Sequence, residues 1–171
     1  METKQTVWIT GASSGLGLYT AQALRDAGFQ VIAGARSFQN AAAQQDGIIR
    51  LQLDVMQEES VAAFREAALK LSPRVDAVVH CAGVLVMGPC EETPVTEYRR
   101  VMETNFLGMV RVNQAVLPLM RAQGGGKIVM FSSINGLLGI PYQSAYTASK
   151  HAVEGYAECL SMETKGFGIQ V

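Results

Sequence analysis

An apolar, β-branched run, Thr6-Val7-Trp8-Ile9-Thr10, passes without a linker into Gly11-Ala12-Ser13-Ser14-Gly15-Leu16-Gly17, where a helical pattern starts. This order of strand, glycine turn and helix constrains the chain more than any other feature. Glycine lets the backbone turn through conformations closed to other residues, and it puts no Cβ between a ligand and the main chain. The helix that follows begins with unpaired N–H groups and the positive end of its dipole, a setting that suits a pyrophosphate. The spacing is Gly-x3-Gly-x-Gly rather than the better-known Gly-x-Gly-x-x-Gly. The plainer alternative is a tight connection with no ligand.

Alternation of this kind runs the length of the 171 residues. Residues 15–27 carry Leu16, Ala23 and Leu24 at helical spacing and stop at Gly28, a favourable C-cap. Residues 30–35 read as a second strand and 48–55 as a third, with a weakly helical, polar stretch at 37–45 between them. Val61, Phe64, Ala68 and Leu71 form an apolar stripe of helical period over 60–71, closed by Ser72 and Pro73. Residues 75–81 are a buried strand. Thr93 and Pro94 open a long helix, as cap and first-turn proline, that is disturbed at Pro118 and closes at the glycines 124–126. Residues 127–131 make a fifth strand, 144–165 a second long helix, and 168–171 the start of a sixth strand. The pattern predicts an α/β fold with a parallel sheet covered by helices on both faces.

Composition narrows the function. Lys and Arg number 14 against 15 Asp and Glu, a net charge of -1, which excludes the basic excess of a typical nucleic-acid binder. Charged residues are only 17%, against about 25% in an average soluble domain, so much of the chain is buried rather than disordered. Apolar runs such as 84–87 are far too short to span a bilayer, and no signal-peptide core is visible. Cys81, Cys90 and Cys159 form no Cys-x-x-Cys and read as reduced, packing thiols of a cytoplasmic protein. His80 lies in an apolar strand and His151 on a helix, neither with a second ligand at metal spacing, so no metal site is expected.

Several motifs compete. Gly11-Ala12-Ser13-Ser14-Gly15 also fits Gly-x-Ser-x-Gly, the nucleophile elbow of serine hydrolases, with Ser13 as nucleophile. That elbow follows a strand with several others before it in the chain, whereas about ten residues precede it here. Gly124-Gly125-Gly126-Lys127 precedes a strand, cannot offer a helix N-terminus to phosphate, and reads as a helix stop.

The second strand ends Gly34-Ala35-Arg36. An Asp or Glu there would bind a ribose 2′-hydroxyl, whereas Arg36 attracts a 2′-phosphate, with Ser13 able to add a hydroxyl. This favours NADP(H) over NAD(H). Asp54, after the third strand, can accept from an adenine amino group or serve a turn. Tyr146 and Lys150 are four apart on a helix and share a face, and no other tyrosine has a lysine at that spacing. A nearby ammonium favours the phenolate, which makes a tyrosine usable as a general acid or base. Ser132 and Ser133 follow the fifth strand at its C-terminal end, where ligands of open α/β sheets collect. There a serine hydroxyl can donate to a developing alkoxide, or simply cap a turn. Asn105 stands in the apolar stripe of the long helix, where it can hold a backbone distortion or a water chain, or be a satisfied core amide.

Together these residues resemble the short-chain dehydrogenase/reductase family over the whole chain. The likeness rests on Thr10-Gly11-x3-Gly15-x-Gly17, Asp54-Val55, Ala82-Gly83, Asn105, and Ser133 thirteen residues before Tyr146-x3-Lys150. The resemblance implies a Rossmann-type doubly wound sheet of order 3-2-1-4-5-6 with the seventh strand missing. It also implies that residues 1–171 are one dinucleotide-binding and catalytic domain, incomplete at its C-terminus. It implies hydride transfer between NADP(H) and a carbonyl or secondary alcohol. In that chemistry Ser133 polarises the carbonyl and Tyr146 is the general acid or base. Lys150 assists the tyrosine and binds the nicotinamide ribose, and Asn105 supports a proton relay through water. The cofactor would lie on Gly11, Ser13, Ser14, Gly15, Leu16, Gly17, Arg36, Asp54, Val55, Ala82, Gly83, Tyr146 and Lys150.

The stretch 134–142 looks most like members acting on hydroxysteroids, retinoids and other apolar compounds, with Leu138, Ile140 and Tyr142 lining an apolar pocket. One departure is His80-Cys81-Ala82-Gly83 where the family usually has Asn-Asn-Ala-Gly, which weakens sheet rigidity more than chemistry. A homo-oligomer through the two long helices is expected. The alternative from another class is a non-catalytic NADP(H)-binding module that senses redox state, for which Ser133, Tyr146 and Lys150 would be unnecessary.

Overall fold

A computed structural model describes residues 4–38 and 43–171. The first strand, β1 (Thr6–Thr10), leads through the glycine turn into α1 (Gly15–Asp26) and β2 (Gln30–Ala35). There follow β3 (Ala43–Gln45), β4 (Ile48–Gln52), α2 (Glu58–Leu71) and β5 (Ala77–His80). Next come α3 (Val95–Met102), α4 (Gly108–Ala122), β6 (Gly126–Met130), α5 (Ser144–Thr164) and β7 (Ile169–Gln170). They build one sheet of order β3-β4-β2-β1-β5-β6-β7. Every pairing is parallel except β3 with β4. With β3 set aside, the parallel strands run 3-2-1-4-5-6 in chain order, the Rossmann-type arrangement expected.

Alternation along β1 divides two cores. Val7 and Ile9 point to one face, where they pack with Ala21 of α1 and with Val31, Ala33 and Val79. Trp8 points to the other and packs with Phe64 and Ala68 of α2 and Val112 and Val116 of α4. Its indole meets the Phe64 ring edge-on with centroids 5.4 Å apart. The chain leaves β1 first toward β2 and β4, then crosses back to β5 and β6. The order therefore reverses between β1 and β5, and a crevice opens at the carboxyl ends of those strands.

Several expectations shift. The stretch 37–45 is not helical. Ser37 and Phe38 lie in a turn, residues 39–42 lie outside the described residues, and 43–45 form the antiparallel edge strand. Asp46 and Gly47, both at positive φ (51° and 74°), make the hairpin that turns it onto β4. The third strand stops at Gln52, short of Val55, which frees 53–55 to line the crevice.

The long helix begins at Val95, with Pro94 as the N-cap residue, not its first turn. Thr93 does not cap it, because its hydroxyl donates to the Pro89 carbonyl at 2.8 Å. Pro118 lies inside α4 without ending it. Both Pro118 and Gln114, whose carbonyl loses its helical partner, are exposed, so water can take that bond. The distortion sits instead at Glu103–Leu107, a π-helical turn around Asn105.

Behind the crevice, three buried or half-buried polar groups satisfy one another. His80 Nε2 donates to Asn113 Oδ1 at 2.8 Å, and Asn113 Nδ2 donates to the Tyr156 hydroxyl at 3.2 Å. Burial pushes the His80 imidazole from its ordinary 6.5 down to about 4, against the hydrogen bond with Asn113. A histidine kept neutral in the fold makes stability depend on pH. The unfolded chain takes up the proton below pH 6.5, so stability is full above that value, falls as pH drops, and levels off below about pH 4. At pH 5 the loss is about 2 kcal/mol. Urea denaturation at pH 7 and pH 5 should show this loss in the natural sequence and a smaller one in His80→Gln. An identical pH dependence in the two proteins would remove His80 as its source.

Candidate functional site

The crevice at the β1–β5 reversal is a cleft of about 470 Å³. Its lining includes Gly11, Ser13, Ser14, Gly15, Leu16, Gly17, Arg36, Asp54, Val55, Ala82 and Gly83, all anticipated from the sequence. It also includes Ala35, Ser37, Leu53, Met56, Cys81, Val84 and Thr104, which were not. These extra residues are chain neighbours of the strand ends, apart from Thr104 on the π-helical turn. Only the folded register could show that they face the same space.

The glycine turn is stapled to both flanking strands. Ala12 N donates to Gly34 O at 3.1 Å, Cys81 N to Thr10 O at 3.2 Å, and Ala82 N to Thr10 Oγ1 at 3.2 Å. Each glycine there has its own reason. At Gly11, with φ 68°, a Cβ would come within 2.6 Å of the Ala82 backbone. At Gly17 a Cβ would collide with the Gly11 carbonyl. Gly15, with φ 52°, faces open space. Its α-carbon leaves the cleft wall free for a ligand. Ser14 is the N-cap of α1 but makes no side-chain cap bond, and no acidic residue occupies the first turn. The helix N-terminus therefore keeps its anion-attracting character. This bare, glycine-walled cradle fits the pyrophosphate of a dinucleotide.

At the far end of the cleft Arg36 is exposed and has no hydrogen bond or ion pair among the described residues. Asp54 serves two ends at once. Its Oδ1 accepts from Met56 N at 3.0 Å, a local turn, while the residue also lines the cleft. Val55 stays within reach because α4 starts on a glycine. A Cβ at Gly108 would lie 2.6 Å from the Val55 side chain.

The cysteine at the departure from the family pattern leaves the backbone bond to Thr10 intact. Burial pushes its thiol up to about 11, with Thr20 and Lys150 pulling the other way. Cys81 is therefore an uncharged packing group at neutral pH.

Tyr146 and Lys150 share one face of α5, with Nζ 5.5 Å from the ring centroid. Lys150 is 5% exposed, and its Nζ donates to Phe131 O at 2.6 Å. Burial lowers its pKa, opposed by the acidic partners Cys81 and Glu154. With the thiol neutral, Glu154 is the effective counter-charge. The Tyr146 hydroxyl makes no hydrogen bond among the described residues.

Ser133 begins a single 3₁₀ turn (Ile134–Gly136). Its Oγ accepts from Asn135 N at 3.2 Å and donates to Asn135 Oδ1 at 3.2 Å. The cap role weighed for this serine is real, and it coexists with a position at the carboxyl end of β6. The Ser132 hydroxyl is buried without a partner among the described residues. Asn105 is 1% exposed with its amide fully used: Oδ1 accepts from Val84 N at 2.7 Å, while Nδ2 donates to Val84 O at 2.9 Å and Ser149 Oγ at 3.0 Å. Ser149 in turn donates to Tyr146 O at 2.7 Å. Asn105 thus ties the loop after β5 to the helix that carries Tyr146.

Ser149 and Asn135 were missed in the sequence. Each is a small polar residue among neighbours of the same kind, and only burial and partners single it out.

The 134–142 stretch does not enclose the anticipated pocket. Ile140 borders an open recess of about 620 Å³ with Pro141, Ser144, Thr147, Ala148 and His151. Leu138 and Tyr142 are 49% and 61% exposed and take no part in it. Tyr142 holds φ 64°, and its carbonyl accepts from Gly88 N at 2.8 Å.

Nothing assembles a hydrolytic triad on Ser13: His80 is bound to Asn113, and His151 donates to the Thr147 carbonyl. No group of three metal-ligating side chains is found among the described residues. No helix among them is long and apolar enough to cross a membrane.

Fold and site together define a Rossmann-type α/β protein with a nucleotide cleft at its topological switch point. The chain belongs to the short chain dehydrogenase family, whose model matches residues 5–171. It is 42% identical over 168 residues to 3-ketodihydrosphingosine reductase of Bacteroides thetaiotaomicron, covering 98% of this chain and 61% of that protein. It is 35% identical over 181 residues to human 17-beta-hydroxysteroid dehydrogenase type 1, covering 98% and 55%. Among solved structures, a short-chain dehydrogenase from Streptomyces avermitilis superposes with a TM-score of 0.91 at 37% identity, covering 99% of this chain and 64% of that one. ElxO with NADP bound superposes at 0.92 and 30% identity, covering 99% and 71%. The chain spans about 60% of the length of the curated relatives it matches.

The glycine geometry carries a direct test. An alanine at Gly15 meets only the left-handed backbone strain, about 1 kcal/mol. An alanine at Gly11 adds a collision with the Ala82 main chain and should cost clearly more. Denaturant titration of the two variants should rank Gly11→Ala below Gly15→Ala in stability. Equal losses would mean that the turn yields freely at Ala82.

Proposed function

We propose that this chain forms the nucleotide-binding and catalytic part of an NADP(H)-dependent oxidoreductase. Its reaction is the reduction of a carbonyl on an apolar substrate, or the reverse oxidation of a secondary alcohol. The observation that carries the reading is the buried ammonium of Lys150 beside the Tyr146 ring, electrostatically coupled to Cys81 of the cleft wall. Gly11, Ser13, Ser14, Gly15, Leu16 and Gly17 would hold the pyrophosphate, Asp54 and Val55 the adenine, and Ala82, Gly83 and Lys150 the nicotinamide end. The bound cofactor supplies the hydride.

The chain's own residues do the rest. Tyr146 gives its phenolic proton to the carbonyl oxygen in reduction and takes it back in oxidation. The Lys150 ammonium, 5.5 Å from the ring centroid, is placed to offset charge that builds on the tyrosine oxygen as the proton leaves. Ser133 donates to the same oxygen as charge develops on it. Asn105 serves the proton path by holding the π-helical turn and the first turns of α5 in place, because its side-chain amide is committed to Val84 and Ser149.

The preference for NADP(H) rests on Arg36, an exposed guanidinium at the cleft end where an acidic residue would select NAD(H). The apolar character of the substrate is supported by the exposed Leu85, Met87, Ile134 and Leu137 on two loops joined by the Gly88–Tyr142 bond. The exposed small residues Ala148, Gly155 and Cys159 along α5 favour a homo-oligomer through the long helices. Two exposed free thiols, Cys90 and Cys159, favour a reducing, cytoplasmic setting.

Tyr146→Phe should lower kcat by about 100-fold or more while changing NADPH affinity little, because only the proton is removed. Retained turnover in a carbonyl-reduction assay would refute the role. Arg36→Asp should move cofactor preference toward NADH, measured as the ratio of kcat/KM for the two cofactors. An unchanged ratio would show that the cleft end does not read the 2′-phosphate.

A further inference from the structure

We infer that Asn135 is a positioning residue that couples the Ser133 hydroxyl to the first turn of the helix bearing Tyr146, an inference that rests on the reading of Ser133 and Tyr146 given above. Asn135 is 4% exposed, sits two residues after Ser133, and uses its polar groups in two directions. Toward the strand end, its backbone N–H donates to Ser133 Oγ and its Oδ1 accepts the Ser133 proton, both at 3.2 Å. Toward the helix, its Nδ2 donates to Gln143 Oε1 at 3.0 Å and to Thr147 Oγ1 at 3.0 Å. Gln143 is the N-cap residue of α5, and Thr147 follows Tyr146 in the chain. One buried amide therefore joins the serine and the tyrosine-bearing turn, which belong to different elements.

The bond lengths indicate how it works. A hydroxyl–amide contact of 3.2 Å is long for an O–H donor, so the Ser133 proton is held lightly. The donor N–H comes from backbone and stays in place when the proton moves. Ser133 can rotate its O–H off Asn135 Oδ1 and onto an arriving carbonyl oxygen while Oγ keeps its anchor. The helix-side bonds set where the Tyr146 turn lies relative to that anchor. Two hydroxyls that must reach one oxygen are thereby spaced by a single side chain, and small errors in such spacing cost rate steeply.

Asn135→Ala, Asn135→Asp and Thr147→Val, together with Ser133→Ala alone and combined with Asn135→Ala, test this in the full-length protein. Asn135→Asp keeps the acceptor for Ser133 and loses both helix-side donors. Asn135→Ala should lower kcat by about tenfold or more with NADPH affinity unchanged. In a Ser133→Ala background the same change should cost clearly less than in the natural sequence, because one of the two groups it positions is gone. Thr147→Val should reproduce part of the loss shown by Asn135→Asp. Independently of turnover, the crystal structure of Asn135→Ala should show Ser133 in a new rotamer, and amides of the first α5 turn should exchange faster with solvent. Full additivity of Asn135→Ala with Ser133→Ala would overturn the inference. So would an unmoved Ser133 with unchanged amide exchange. If the natural sequence reduces no carbonyl compound, the functional reading fails, and the rotamer and exchange measurements still decide the coupling.

Discussion

The site depends on one close approach, the main chain of Gly11 against the main chain of Ala82. It brings the turn after β1 against the end of β5, at the point where the strand order reverses. Thr10 secures it twice, with its carbonyl toward Cys81 and its hydroxyl toward Ala82. Ala12 secures the other side through Gly34. With the turn pinned to both neighbours, the N-terminus of α1 is aimed along the crevice and its amides stay unshared. The cleft is a consequence of backbone packing more than of any side chain within it.

A second set of constraints fixes α5. Its start is held by Tyr98 on Ser144, at 2.6 Å, and by Asn135 on Gln143 and Thr147. Its second turn is held by Asn105 through Ser149, and Lys150 reaches across to the Phe131 carbonyl. Four elements thus converge on two turns of one helix. A buried polar network of this kind stabilises only when its members are satisfied, and then it specifies one arrangement. The π-helical turn at Asn105 belongs to the same logic, since it presents an amide to Val84 and Ser149 from inside an apolar helix.

Charge is arranged sparingly. Among the described residues the one strongly buried cation, Lys150, is offset by Glu154 and by a carbonyl, while the neighbouring thiol and His80 are held neutral by burial. An ammonium kept out of water is costly. Under the proposed function, its place beside Tyr146 serves the chemistry of that tyrosine rather than stability.

The strand–glycine–helix start, the parallel alternation and the glycine-turn part of the cleft lining were legible in the sequence because each depends on local chemistry. Alternating apolar residues make a two-faced strand, and glycine alone tolerates the turn. Tyr146 and Lys150 share a face by helical period. What could not be read there arises between elements distant in the chain. The short antiparallel β3 depends on the edge that β4 leaves open. Of the two distortions the sequence allowed, the one at Asn105 forms as a π-helical turn, while α4 continues through the exposed Pro118, where water can satisfy the carbonyl it frees. Ser149 and Asn135 acquire meaning only from partners dozens of residues away or across a turn. In the loop 134–142, Leu137, Leu138 and Tyr142 are exposed while Asn135 is buried, a division that only the fold sets. Local stereochemistry thus determined which elements form and which of them can meet a dinucleotide. Tertiary packing alone decided which polar groups are buried together and so how the serine, the tyrosine and the lysine are held. The physical reason is that burial makes a polar group seek whatever partner the fold brings near.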